Sequence, residues 1–337
     1  MALKKRQNFL RITFSKVLML DDLINRLLNN ERRAVARSIS IVESSNSSST
    51  ELLKNIFPNI GNAYRIGITG PPGSGKSTIT NQLTKYYRKQ DKKVGIIAVD
   101  PTSPFTGGAL LGDRVRMSEI GQDESVFIRS MATRGNLGGL SKRAVDAADV
   151  LDAAGYDIII FETVGVGQSE LDIAEAADTT IVVLVPESGD AVQAMKAGLM
   201  EIADLFVMNK SDRPGSQQAI ASLQTILMMR DHDERSWMIN IIKTIAVQNE
   251  GIDEIANEIE KHKEYLTSSN LLLKKREQKT KNRIKNIVED KIREELWSES
   301  GEISLNSSLE KIVLGKISPY HIAEKIIVEF KKKNYQE

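Results

Sequence analysis

Between residues 70 and 78 the chain reads GPPGSGKST: a glycine, four residues, a second glycine, then a lysine and two hydroxyl side chains. Types at this spacing build a phosphate cradle. Gly70, Gly73 and Gly75 let the backbone curl so that successive N–H groups point at one cluster of phosphate oxygens, with Pro71, Pro72, Ser74 and Thr78 in the same binding loop. Lys76 reaches the β- and γ-phosphates, the Ser77 hydroxyl ligates Mg²⁺, and the helix that starts here adds its positive end. A ligand-free glycine turn has a similar composition. An apolar strand before the loop and a helical pattern after it decide for phosphate, so the chain is expected to bind a nucleoside triphosphate.

A second motif addresses the base. The stretch VMNKSD places Asn209, Lys210 and Asp212 at the end of a later apolar run. A carboxylate there accepts from both N1–H and the exocyclic amine of guanine, whereas adenine presents a bare acceptor at N1 and would leave the acid unpaired. Paired hydrogen bonds of this kind discriminate by about 10⁴. Asn-Lys-x-Asp is short and weak by itself; its position downstream of the phosphate loop favours GTP and GDP. The loop expected to flank the base, TIAVQNEG, matches less closely, with Ala246 offering a backbone N–H.

Acids for the metal belong between these two motifs. The apolar run ending FETVG carries Glu162 and Gly165, the E-x-x-G form of a γ-phosphate-sensing loop: the acid holds Mg²⁺ directly or through water, and the Gly165 N–H meets the γ-phosphate. Upstream, VDPTSPFTGGALLGDRVRM sets Asp100 at a strand end and Asp113 beyond two glycines. Turn and helix-cap roles suit both aspartates. Mg²⁺ takes a few carboxylates plus phosphate oxygens and water, so Ser77, Asp100, Asp113 and Glu162 are expected to share one ion.

These residues need a scaffold that brings strand ends together. Apolar runs recur at 64–69, 94–99, 125–129, 157–161, 179–185, 205–208 and 239–244, and most intervals are long enough for a helix, such as 77–90 and 140–154. That alternation predicts an α/β fold, a mainly parallel sheet with helices on both faces. A helical segment spans 21–60, the nucleotide domain 61–260, and basic amphipathic helices 261–337, with Ile284, Ile287, Val288, Ile292 and Leu296 on one stripe. Residues 1–20 form a basic leader without an acid, read as a short extension in preference to a presequence.

Composition narrows the classes. The 337 residues carry a net charge of +1, which points to neither nucleic acid nor an acidic membrane. Without a cysteine, and with His232, His262 and His321 each standing alone, there is no disulfide scaffold and no thiolate site for a metal. A lone histidine is more often structural than a ligand. No apolar run is long enough to cross a bilayer, and a cytoplasmic location is expected, or a mitochondrial one if the leader is a presequence.

The run ITGPPGSGKST, VDPTSPFTGGALLGDRVRM, ETVGVGQSE, PESGDAVQAMKAG and NKSD resembles the G-protein chaperones associated with methylmalonyl-CoA mutase, a group also described as arginine/ornithine-transport-associated kinases. The resemblance covers roughly residues 21–330. It implies a P-loop fold, a slow Mg²⁺-dependent GTPase, a C-terminal arm that forms a homodimer, and an adenosylcobalamin-dependent mutase as client, with a cobalamin adenosyltransferase as a further partner. It also implies a switch carrying Asp190, Gln193 and Lys196 toward the nucleotide when the client docks. Ser211 and the loop TIA are minor departures. Many small GTPases place a water-orienting glutamine directly after the sensing glycine; here Val166 follows and Gln168 comes two residues later. Unassisted hydrolysis should therefore be slow, with Arg114, Arg116, Arg134 and Lys196 as candidates for the missing charge. A P-loop kinase is the competing class, disfavoured by NKSD, and a metal-inserting GTPase lacks its cysteine and histidine clusters.

Overall fold

Seven apolar runs become strands among the described residues: β1 (Tyr64–Thr69), β2 (Val94–Pro101), β3 (Val126–Thr133), β4 (Ile158–Thr163), β5 (Thr179–Leu184), β6 (Leu205–Asn209) and β7 (Ile241–Thr244). They form one sheet in the order β3-β2-β4-β1-β5-β6-β7, every neighbouring pair parallel. This is a computed structural model, and it describes residues 18–44, 47–101, 120–133, 139–163, 169–186, 198–230, 236–297 and 299–334. Helices supply the crossovers: α1 (18–28), α2 (Arg32–Glu43), α3 (Ser47–Ile56), α4 (Lys76–Arg88), α5 (Gly139–Ala153), α6 (Ser169–Ala176), α7 (Leu199–Ile202), α8 (Ser216–Met228) and α9 (Ile252–Ser268). The parallel α/β reading of the sequence is borne out.

Alternation along the central strands sorts the core into two layers. Ile66 and Ile68 of β1 and Ile160 of β4 meet Ile79 and Leu83 of α4 and Ile255 and Ile259 of α9. On the other face, Ile159 and Phe161 pack with Val150 and Leu151 of α5, Ile173 of α6, and Val35, Ile39 and Leu52 of the N-terminal helices. Because both faces are covered, β1 and β4 read as continuous apolar runs. The N-terminal helices are therefore part of the core. They are pinned by Asp152 at the end of α5, whose carboxylate accepts from the amides of Gly61 (2.8 Å), Asn62 (3.1 Å) and Ala63 (3.0 Å). Arg65 completes this anchor with an ion pair to Asp149 at 2.8 Å.

The chain divides into two compact units, Met1–Lys275 and Arg276–Glu337. Helix α10 (Leu271–Leu296) crosses that boundary, and α11 (Glu299–Asn306), α12 (Leu309–Val313) and α13 (Pro319–Asn334) follow. Within the second unit Ser304 of α11 donates to Glu329 of α13 at 3.1 Å. The stripe Ile284, Ile287, Val288 and Ile292 is solvent-exposed. Among the described residues no helix is long and apolar enough to cross a membrane. Most of the basic leader, residues 1–17, lies outside the described residues.

Candidate functional site

The phosphate loop connects the end of β1 to the start of α4, at the carboxyl edge of the sheet where parallel α/β folds place ligands. Pleat alternation brings its first acid there. Ile158 and Ile160 of β4 lie on the α4 side, so Glu162, next in that series, belongs to the same side at the strand's last turn. Glu162 is only 5% exposed, and Ser77 in the first turn of α4 donates its hydroxyl to Glu162 Oε1. A hydroxyl beside a carboxylate is a pair of hard oxygen donors. It suits Mg²⁺, which binds through one or two protein groups and keeps phosphate and water in its remaining positions. No cluster of three or more acidic, histidine or cysteine side chains that could hold a metal occurs among the described residues, in keeping with an ion held partly by phosphate.

The other two metal candidates differ in what can be said of them. Asp100 continues β2 two residues past Ala98, and Ala98 is the register partner of Glu162, so the backbone delivers position 100 to the same edge of the sheet. Asp113 lies outside the described residues, as do Gly165, Gln193 and Lys196, together with Asp190, Val166, Gln168, Arg114, Arg116 and Arg134.

The loop itself is held by the second motif. Asn209 at the end of β6 is 3% exposed and donates from Nδ2 to the Ser74 carbonyl at 2.8 Å. Its Oδ1 accepts from the Ala246 amide and from Thr244 Oγ1, each at 3.1 Å. One side chain thus fastens the phosphate loop to the loop beyond β7. Gly75 is what lets it: its φ of 95° is left-handed, and a Cβ there would come 2.2 Å from Asn209 Nδ2. Lys210, itself left-handed with φ 56°, donates to the Gly73 carbonyl at 2.9 Å. Asp212 follows in the exposed turn. The Ala246 N–H, expected to face a base, is instead engaged by Asn209, so Ala246 enters the site through that clamp.

Lys76 is 5% exposed, and its ammonium donates to the carbonyls of Gly70 (2.8 Å) and Pro71 (2.9 Å). Pro72 and Thr78 complete the loop and the first turn of α4. One acid at this edge escapes the sequence reading. Glu170, in the first turn of α6, is 6% exposed, and burial raises its carboxyl above the usual range against the pull of the Lys76 ammonium. A signal for it exists, since Glu170 closes the run ETVGVGQSE, but its burial depends on helix packing that one strand-end motif does not disclose.

A parallel sheet with a phosphate loop after its first strand, a hydroxyl–carboxylate pair beneath it and Asn-Lys-x-Asp clamped to it defines a P-loop nucleoside triphosphatase of the guanine class. The chain is a GTPase, and its relatives carry that name: a protein of Pyrococcus abyssi is 46% identical over 313 residues (92% of this chain, 97% of that protein). GTPase ArgK of Escherichia coli is 38% identical over 284 residues (82% and 85%). The chain belongs to the family described as methylmalonyl Co-A mutase-associated GTPase MeaB, which matches residues 35–301. The mitochondrial methylmalonic aciduria type A homolog of Mus musculus is 31% identical over 333 residues (93% and 80%). A crystal structure of an LAO/AO transport system kinase superposes with a TM-score of 0.69 at 30% identity, covering 93% of this chain and 98% of that one.

Proposed function

We propose that this GTPase is a Mg²⁺-dependent chaperone of an adenosylcobalamin-dependent acyl-CoA mutase of the methylmalonyl-CoA type, gating cofactor loading and protecting the loaded enzyme. The observation that carries the chemistry is the Ser77–Glu162 pair directly below a phosphate loop clamped by Asn209. The observation that carries the client is the family match over residues 35–301. Ser77, Asp100, Asp113 and Glu162 would hold Mg²⁺, which when bound neutralises charge on the phosphates. Lys76 leaves the carbonyls of Gly70 and Pro71 for the β- and γ-phosphates, the loop amides from Gly70 to Thr78 surround the phosphate oxygens, and Gly165 contacts the terminal phosphate. Asp212 reads the guanine edge, Lys210 flanks it, and Asn209 with Ala246 keeps base and phosphate loops in register.

Val166 stands where a water-orienting glutamine often sits, so the isolated protein hydrolyses GTP slowly, and Gln193 and Lys196 supply the missing stabilisation when the client docks. The exposed stripe of the C-terminal helices forms the homodimer arm, and a cobalamin adenosyltransferase joins the complex to deliver cofactor. Phosphate release at saturating GTP and Mg²⁺, with and without the mutase of the same organism, tests the reading. Stimulation by about 10³-fold, largely lost in Lys196→Ala, is the expected result. A demonstrated complex without stimulation removes the switch; the lack of any complex removes the chaperone.

A further inference from the structure

Two carboxylates approach the phosphate loop from opposite faces of the sheet. Only Glu162 has a part in the proposed GTPase site, and any role for Glu170 rests on that site being real. The position of Glu170 comes from a close helix–strand contact. Helix α6 carries the chain from the carboxyl end of β4 back to the amino end of β5, so it runs antiparallel to β1. It lies so tightly on β1 that a Cβ at Gly67 would be 2.8 Å from Ile173 Cγ2 and 3.0 Å from Ala177 Cβ. Glu170 is three residues before Ile173, hence on the same sheet-facing side and one turn closer to the carboxyl end. That turn is level with the end of β1, where Gly70 opens the phosphate loop. Among the described residues no side chain hydrogen-bonds its carboxylate, and its charge acts on Lys76.

Lys76 buries an ammonium against the carbonyls of Gly70 and Pro71, which are dipoles and carry no net charge. A buried cation is stabilised by opposite charge nearby. We propose that Glu170 contributes this counter-charge: a positioning residue that holds Lys76 on the loop carbonyls and sets how strongly the site favours a triphosphate over a diphosphate. The incoming phosphates take Lys76 from this arrangement and meet the Glu170 charge at short range. The repulsion grows with phosphate charge, so GTP suffers more than GDP, and Glu170 limits GTP affinity.

The test is titration of GTP and GDP, each with Mg²⁺, into wild type, Glu170→Gln and Glu170→Ala, whose folding is checked by circular dichroism. Removal of the charge should tighten GTP about tenfold and GDP by less, in both variants, the opposite of what loss of a structural carboxylate would do. Steady-state kinetics of Glu170→Gln should show KM falling without a matching rise in kcat. Unchanged or weaker GTP affinity in folded variants overturns the counter-charge. A wild-type protein that binds neither nucleotide overturns the phosphate site beneath it, and the counter-charge with it.

Discussion

At the amino end of the sheet, polar groups are buried in a chain in which protein meets protein. The Tyr64 hydroxyl lies 2.6 Å from Thr179 Oγ1, which lies 2.8 Å from His262 Nδ1. His262 Nε2 is 3.5 Å from Asp204, which also receives Lys275 at 3.3 Å and the Thr180 amide at 2.8 Å. The Trp237 indole donates to the Asp204 carbonyl at 2.7 Å and covers the His262 ring, centroids 4.8 Å apart. At the carboxyl end, Lys76, Glu162 and Glu170 are about as buried. Partners there include a hydroxyl and loop carbonyls, groups that a phosphate or a metal ion outcompetes. Burial and charge are alike at the two ends. The exchangeability of the partners separates a structural network from a binding site.

The largest effects should break the comparison in opposite ways. Asp152→Ala, near the amino end, strips the acceptor from three amides and one of the two acids from Arg65. It should cost about 3–5 kcal/mol of stability, read from urea denaturation, with GTP affinity unchanged in the fraction that stays folded. Lys76→Ala should leave the urea midpoint in place and weaken GTP by about 10–100-fold, the loss of charged hydrogen bonds to phosphate. Were both variants to lose stability and binding together, the two ends would be one cooperative site.

A smaller effect sharpens the contrast through the direction of its pH dependence. Burial holds His262 below its ordinary value of 6.5, against the pull of Asp204, Asp178 and Glu258 and with a further push from Lys275. As the pH falls below 6.5 the unfolded chain takes up a proton that the folded chain refuses, so this contribution to stability is lost toward acid. Glu170 behaves oppositely. Its carboxyl is raised above 4.5 by burial, so the folded chain holds the extra proton and stability falls as the pH rises above 4.5. Thermal melts from about pH 5 to 7.5 should show His262→Gln flattening the acid-side loss. Glu170→Gln should be more stable than wild type at neutral pH, with the gain shrinking toward pH 4.5. Parallel melting curves for wild type and His262→Gln would place that histidine outside the buried network.

Much of this was legible in the chain. Seven apolar runs gave seven strands, and a lone buried histidine proved to be a core residue. The strand ends were less legible: β2 and β3 pair through Pro101 and Thr133, past the apolar residues that mark them, because parallel pairing continues through polar positions such as Ser130. GPPGSGKS and Glu162 could be read because their chemistry depends on local spacing. The Asn209 clamp could not, since its partners Ser74, Thr244 and Ala246 come from two distant loops and a strand end. Glu170 depends on Gly67, far earlier in the chain, admitting a helix against β1.

Central to all of this is the proposal that the carboxyl end is a guanine nucleotide site, with Asp212 aimed at the base and the Asn209 clamp joining it to the phosphate loop. Calorimetric titration of the wild-type protein with GTP and with ATP, both with Mg²⁺, addresses it directly, with Asp212→Asn and xanthosine triphosphate as the matched exchange. GTP should bind about 10⁴-fold more tightly than ATP, and Asp212→Asn should move the preference toward the xanthine nucleotide, whose edge suits an amide. Equal affinity for GTP and ATP in the wild type would contradict the guanine assignment.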